Sequence, residues 1–473
     1  MTDISEELLD ANHRSPLVFR AHGAVTLTRS PIVGAPPSPG GREVRGGVRG
    51  VFRVERRKLA AQLATRVLAL VCLVGPFAFA AILNVQNGTP ADTLLGVWVH
   101  SSGFAISLVV LGFAGAWGFP LVVGVLAGDM FSSEDRYGTW KTVLTRSCSR
   151  RDMFAGKLLA AMTFSLGLVA LTALSSLLAG LLLVGDQSLV GLGGAVLSPG
   201  HCLILVLASW LVSVLPVLAF TSLAVLFSVA TRNGIVGVLG TGLVALVTQL
   251  LDLIGKGVLV HMLLIGSAFD GWQGLFTTHP FYGPLAVESI VSVGWIVACL
   301  GASWLILRRR DFAGTPATGR PGWIRPVRVV AVFLVVIALL AIASNWGPVG
   351  VTRARLRGSL TPTFNNVALL QQRLLGRKVR AGAKLNIVTT CFRRTSTQQG
   401  PGDWTCTLDV FIPTLGENPF QQAPVTYDVS VQSDGCYKAE SPPAFVGQQT
   451  IRDTQKHQVV NPLFVIYGCF DTL

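Results

Sequence analysis

The residue types best suited to chemistry gather in one polar interruption, residues 128–157, which reads GDMFSSEDRYGTWKTVLTRSCSRRDMFAGK between two strongly apolar stretches. It carries an acidic pair (Glu134, Asp135) beside Arg136, two aromatic residues (Tyr137, Trp140) around Gly138 and Thr139, then Ser149, Arg150 and Arg151, and finally Gly156 with Lys157. These residues suit docking rather than bond breaking. Gly138 permits a tight turn, and the Thr139 hydroxyl can cap the turn that follows. Tyr137, Trp140, Val143 and Leu144 form an apolar face able to wedge into a partner, while Glu134, Asp135, Arg136, Lys141 and Arg146 can pair across an interface. The same spacing also suits a solvated amphipathic helix on lipid headgroups. No GxxxxGK[ST] phosphate loop occurs in the sequence, and RAGAKL at 380–385 lacks its glycine pattern, so this chain is not expected to hydrolyse nucleotide or to act as an enzyme.

What must position these residues is a membrane bundle. Of 473 residues, 51% are hydrophobic and only 13% charged, against roughly 25% charged in soluble domains. A helical span needs about 20 apolar residues, and seven stretches qualify: 62–83, 104–127, 158–184, 201–229, 234–254, 286–307 and 327–347. A net charge of +14 would suggest nucleic acid in a soluble protein. Its distribution argues for a membrane instead, and no nucleic-acid partner is expected. Ten Lys and Arg precede residue 60, six lie in 128–157, one in 230–233 and six in 308–328, whereas the alternate loops together hold one, Lys256. Positive residues resist translocation. The N-terminus and the 128–157 segment are therefore expected in the cytoplasm of a plasma-membrane protein, with the C-terminal segment outside after seven crossings. The charges within the spans (Arg66, Asp252, Glu288) lie near their ends, which disfavours an ion-coupled carrier and favours an apolar or amphipathic cargo.

Residues 1–50 are rich in Gly, Pro and Arg and have no early apolar core, so a disordered basic cytoplasmic arm is expected rather than a cleavable leader. Residues 51–70 read as an interfacial helix entering the first span, with Phe52, Val54, Leu59 and Leu63 towards lipid and Arg53, Arg56, Arg57 and Lys58 towards headgroups. The loop after the fifth span is apolar yet broken by Gly and Pro, which predicts short re-entrant or interfacial half-helices. Its Trp272, Phe276, Pro280, Phe281 and Tyr282, with Glu288, form a candidate outer gate, although aromatic residues taken singly also suit an interfacial belt. A Gly/Pro linker, 311–326, leads to the seventh span at 327–347. Residues 350–473 then show a helix at 365–380, with Val367, Leu370, Leu374 and Leu375 as its apolar stripe, and strands at 385–390, 404–412, 425–432 and 459–467. Cys391, Cys406, Cys436 and Cys469 all fall in this outer segment, an even set that predicts a disulfide framework with three possible connectivities. The chain has no CxxC, so no metal site is expected.

The ordered set Glu134, Gly138 with Thr139, Leu144, Ser149 with Arg150, and Gly156 with Lys157 resembles the segment between the second and third spans of ABC-2 type transporter permeases, exporters powered by a separate ATPase. RVERRKL at 53–59, with Glu55 and Lys58, resembles the interfacial helix of the same family. The first six spans and the long fifth outer loop fit as well, so the resemblance covers about residues 50–310. The proline that commonly precedes Ser-Arg is replaced here by Arg146, Ser147 and Cys148. The resemblance implies an α-helical polytopic membrane protein, with an ABC-2 type six-helix transmembrane domain over 51–310. To that core are added a seventh span and a small disulfide-containing α+β extracytoplasmic domain. By the same resemblance the chain is the permease subunit of an ATP-binding-cassette exporter moving a hydrophobic or amphipathic drug, lipid or lipid-like metabolite. Glu134, Asp135, Arg136, Tyr137, Gly138, Thr139, Trp140, Leu144, Ser149, Arg150 and Lys157 would then transmit the movement of the ATPase. The implied partners are a cytoplasmic ATPase subunit that binds the ATP and Mg²⁺, a second permease copy or a related permease, and membrane lipids; no cofactor is implied in this chain. In the outer segment, Cys391, GDWTC at 402–406 and VTYDVSVQSDGC at 425–436 resemble small secreted domains of unknown function. That likeness implies bridges joining Cys391 to Cys406 and Cys436 to Cys469. A reading of another class is a membrane-anchored sensory or assembly protein with a ligand-binding outer domain.

Overall fold

A computed structural model of the chain describes residues 47–85, 93–140, 148–254, 262–310, 350–380, 382–395, 397–413 and 420–472, with a few positions between 328 and 339. The expected arm before residue 47, the linker 311–326 and most of the seventh span lie outside the described residues.

The apolar runs become helices because a buried backbone in lipid must satisfy its own hydrogen bonds. Helix α1 (Val48–Ala61) ends at Gln62, whose extended backbone turns the chain directly into α2 (Leu63–Val85). Helices α3 (Gly103–Phe113) and α4 (Phe119–Gly128) are joined by a π-helical turn, Ala114–Gly118, and followed by the short α5 (Ser132–Arg136). Helix α6 (Arg150–Leu183) starts eight residues before the expected span, because its first two turns project beyond the apolar run. A small hairpin of β1 (Leu189–Val190) and β2 (Val196–Leu197) leads to α7 (Pro199–Val212) and α8 (Val214–Thr231), which together make the fourth span. Helices α9 (Gly234–Ile254) and α10 (Gly283–Arg308) complete the bundle. Among the described residues, six helical stretches are long and apolar enough to cross a membrane, and the chain is a multi-pass membrane protein.

Small hydroxyl residues bind the helices to one another, as expected where lipid removes the hydrophobic drive for association. Ser107 and Ser176 lie 3.0 Å apart, Trp210 Nε1 donates to Ser107 Oγ at 3.0 Å, and Thr221 donates to Ser165 at 3.0 Å. Leucine and valine side chains such as Leu70, Val71, Leu182 and Leu211 are left on the outside of the bundle.

The C-terminal domain packs α11 (Arg353–Leu374) on a five-stranded antiparallel sheet of order β3-β4-β5-β6-β9. These strands are β3 (Asn386–Arg393), β4 (Gly402–Pro413), β5 (Phe420–Val431), β6 (Cys436–Glu440) and, after α12 (Pro443–Val446), β7 (Thr450–Arg452) and β8 (Gln458–Val460), β9 (Val465–Cys469). Cys391 is bonded to Cys406 and Cys436 to Cys469, each pair directly opposed in register across neighbouring strands. The expected helix began at residue 365, whereas α11 starts at Arg353 and runs through Pro362. Its core face is Leu356, Leu360, Phe364, Val367 and Ala368, and Leu375 is exposed. The expected strand 459–467 is two strands, since Asn461 turns the chain by donating to the carbonyls of Val446 and Gln448 at 2.9 Å each. On α1, Leu59 faces the bundle rather than lipid, with Val51 and Glu55, because this stripe packs against α6.

Candidate functional site

The polar segment sits where α1, α5, α6 and the end of α10 meet. Its first turn is anchored by α8, for the N–H groups of Phe131 and Ser132 both donate to Ser228 Oγ at 3.1 Å. At its far end Ser149 caps α6, accepting from the Asp152 N–H at 3.0 Å and donating to the Asp152 carboxylate at 2.7 Å, as a helix N-cap should. Gly156 lets α1 approach, because a Cβ there would lie 2.6 Å from the Val51 side chain. That approach brings Glu55 of α1 within reach of the next residue, Lys157.

Lys157 is fully buried. Its ammonium donates to Glu55 Oε1 at 2.9 Å, Glu134 Oε1 at 3.0 Å and the Met130 carbonyl at 3.2 Å, which uses all three of its N–H groups. Lys58 of α1 donates to the same Glu134 oxygen at 2.8 Å, and Thr139 donates to the other. Two carboxylates and two ammonium groups thus close a neutral cluster that joins α1, α5 and α6. Partial burial pulls Lys58 down from its ordinary pKa, but the hydrogen bond to Glu134 and the charges of Glu55, Glu134 and Asp129 outweigh it and hold the group above that value.

A second tie runs to α10. Arg310 pairs with Asp135 and lies over the Trp140 ring, 5.9 Å from its centroid. Arg150 donates to the carbonyls of Arg308 and Arg310 at 3.0 Å each and so caps the C-terminus of α10, where a cation is favoured by the helix dipole. Aromatic contacts continue the connection, from Trp140 to Phe131, Phe131 to Phe154, and Phe154 to Trp304 of α10.

The candidate residues therefore divide. Glu134, Trp140 and Lys157 are buried within the chain, which corrects the expectation that Trp140 wedges into a partner and Glu134 pairs across an interface. Asp135, Thr139, Ser149 and Arg150 also have partners inside this chain. Arg136, Tyr137 and Gly138 remain exposed at the tip, with Tyr137 72% exposed, Arg136 stacked over its ring and Gly138 left-handed at φ +64°. Leu144, with Lys141, Val143 and Arg146, lies outside the described residues. Sequence reasoning did not single out Arg310 as Asp135's partner; its only signal was the Arg308, Arg309, Arg310 run.

At the other end of the bundle, the part of the expected re-entrant loop that is described, from Met262 on, holds two buried 3₁₀ turns, Ser267–Phe269 and Gln273–Phe276, while residues 255–261 lie outside the described residues. Trp272, Phe276 and Glu288 are buried there, Phe281 is half-buried, and Pro280 and Tyr282 are exposed. The C-terminal domain docks on this end. The Gly193 N–H donates to the Tyr467 carbonyl at 3.3 Å, and Asn366 and Thr278 donate to the Gly193 carbonyl at 2.8 and 3.1 Å. The Cys436 to Cys469 face of the sheet joins the same apolar core as Leu192 and Phe276. Among the described residues no cluster of His, Cys, Asp and Glu could hold a metal ion.

Residues 70–313, just over half of the chain, match the model of a family described as a protein of unknown function (DUF2705). No curated protein matches the sequence.

Proposed function

This chain belongs to the DUF2705 family, and from its own geometry we propose that it is the membrane subunit of an ATP-driven exporter. The observation that carries the reading is the ion-pair cluster of buried Glu55, Glu134 and Lys157 with half-exposed Lys58, which braces α1, α5 and α6 into one block beneath an exposed tip. A force applied at Arg136, Tyr137 and Gly138 is passed by that block to the first and third spans, and by Arg150 and Arg310 to the sixth. A soft loop would absorb the same force. The order of the motif residues and the concentration of cations at this end support a cytoplasmic ATPase as the partner and the plasma membrane as the location. The uncharged middles of the spans support a hydrophobic or amphipathic cargo, and a second permease copy completes the pathway. The outer domain, docked through Gly193 on the loop after the third span, controls release.

The test is purification of the full chain from its native cells in mild detergent. An ATPase should copurify, and Tyr137→Ala should lower substrate-stimulated ATP turnover while leaving the permease folded. Absence of any ATPase, or turnover indifferent to Tyr137→Ala and Gly138→Val, refutes the reading.

A further inference from the structure

A groove of about 610 Å³ opens at the elbow where α1 turns into α2, against α4 and the start of α9. That volume lies within the roughly 300–1,000 Å³ of small-molecule sites. Its lining is graded along the bundle. Lys58, Asp129 and Arg136 lie at the end where the chain leaves the spans. Val125 lies one helical turn deeper than Asp129 and Leu239 one turn deeper than Ile235, with Leu63 at the head of the first span. Leu63, Ile235 and Leu239 are 76%, 67% and 64% exposed, so the apolar end is open to lipid.

The polar end presents two half-exposed cations, each paired with one carboxylate. Lys58 and Arg136 keep 40% and 56% of their side chains exposed. Among the described residues, Lys58 has one acceptor, Glu134 Oε1, and Arg136 has one, Asp129 Oδ2. An ammonium offers three N–H groups and a guanidinium five, so among the described residues these two groove-lining cations have donors beyond the pairs named. Two carboxylates also line this end: Glu55, buried and held by Lys157, and Asp129, 40% exposed, which accepts from Arg136 and from Ser132.

We propose that this groove binds one glycerophospholipid from the adjoining leaflet, its phosphate on Lys58 and Arg136 and its acyl chains along Leu63, Val125, Val238 and Leu239. The ligand shares Lys58 with Glu134, so occupancy competes for one of the cations that brace the polar segment, and the lipid reports directly to the tip at Arg136. The site depends only on the chain lying in a membrane and stands whether or not the protein drives export.

The full-length protein in neutral maltoside detergent is titrated with dioctanoyl-phosphatidylglycerol, with dioctanoylglycerol and with inorganic phosphate, and binding is followed by thermophoresis. Saturable binding of the phospholipid, at least about tenfold tighter than dioctanoylglycerol, is expected from the charge-assisted contacts. Arg136→Gln, at an exposed position, should weaken it about tenfold, and Leu239→Trp should abolish it by filling the groove without touching the cluster. Equal affinity for dioctanoylglycerol, or binding untouched by Leu239→Trp, overturns the site. Inorganic phosphate binding with the same Arg136 dependence makes it a free-anion site and overturns the lipid. If Leu239→Trp instead shifts dimer to monomer and no lipid binds, the groove seats a second copy and the proposal fails.

Discussion

Lys58 and Lys157 donate to the same oxygen of Glu134, at 2.8 and 3.0 Å, yet their replacement by methionine should have very different costs. Lys157 is 0% exposed, and its loss leaves Glu55 and Glu134 buried with too little compensation. Removing one partner of a buried ion pair costs about 3–5 kcal/mol. The Lys58 side chain is 40% exposed, so water replaces much of its contribution and the loss should be about 0–1 kcal/mol. At about 2 °C per kcal/mol, the value for a cooperative unit of about 250 residues such as the six-span bundle, Lys157→Met should lower the unfolding midpoint by on the order of 6–10 °C. Lys58→Met should lower it by less than about 2 °C. The assay is fluorescence-detected size exclusion after stepwise heating in detergent. Equal losses for the two lysines, or an unaltered Lys157→Met protein, would refute the buried-cluster argument.

Three further outcomes are expected. Peptide mapping of unreduced protein should recover Cys391 with Cys406 and Cys436 with Cys469, and reduction should destabilise the C-terminal domain by about 2–4 kcal/mol per bridge; four free thiols would contradict both the bridges and the expected sidedness. Burial pushes the Tyr437 phenol up to about 12, although hydrogen bonds with Ser359 and Thr363 pull the other way. A raised folded value means that its contribution to stability is whole below the ordinary 10.0 and lost as pH rises towards about 12. The tyrosinate absorbance of Tyr437, taken as the ultraviolet difference between the full chain and Tyr437→Phe, should therefore rise together with loss of structure in the C-terminal domain, and its ionisation near the ordinary 10.0 in the folded domain would count against it. Asn366→Ala removes a 2.8 Å bond to Gly193 and should speed hydrogen exchange in 189–197 without altering the five-stranded sheet; unchanged exchange there would mean the docking does not depend on it.

The six spans were legible because an apolar run of that length has few other fates, and the β-rich C-terminal domain because strand alternation survives in β4 and β5. The cysteine pairing was implied only by a faint likeness, and strand register confirms it. Elsewhere the sequence misled for definable reasons. Pro362 disguised the first half of α11, whose core residues Leu356 and Leu360 lie before it. Pro462 follows Asn461 at the break between β8 and β9, and β6 was too short to signal itself. In the candidate site the residue types were visible but their direction was not. Trp140 looks the same in a sequence whether it points to a partner or onto Phe131. Glu134 finds Lys157 and Lys58, 23 and 76 residues away. Such long-range pairing has no local periodicity to announce it, and the tip at Tyr137 stands out only once its neighbours are known to be buried.

The same cluster sets a timetable for the making of the protein. Glu55 and Lys157 are separated by 102 residues, and at about 5–20 residues per second of synthesis the carboxylate must wait roughly 5–20 s for its cation to be made. During that interval the Val51, Glu55 and Leu59 stripe of α1 lacks the α6 face it packs against, so Glu55 is expected to stay open to water while the first two spans insert. Helix α1, early in the chain, is therefore expected to be among the last pieces of the half-made bundle to take its place. A ribosome-stalled chain ending before residue 157 should leave Glu55 open to water-borne reagents, and one extending past the third span should close it.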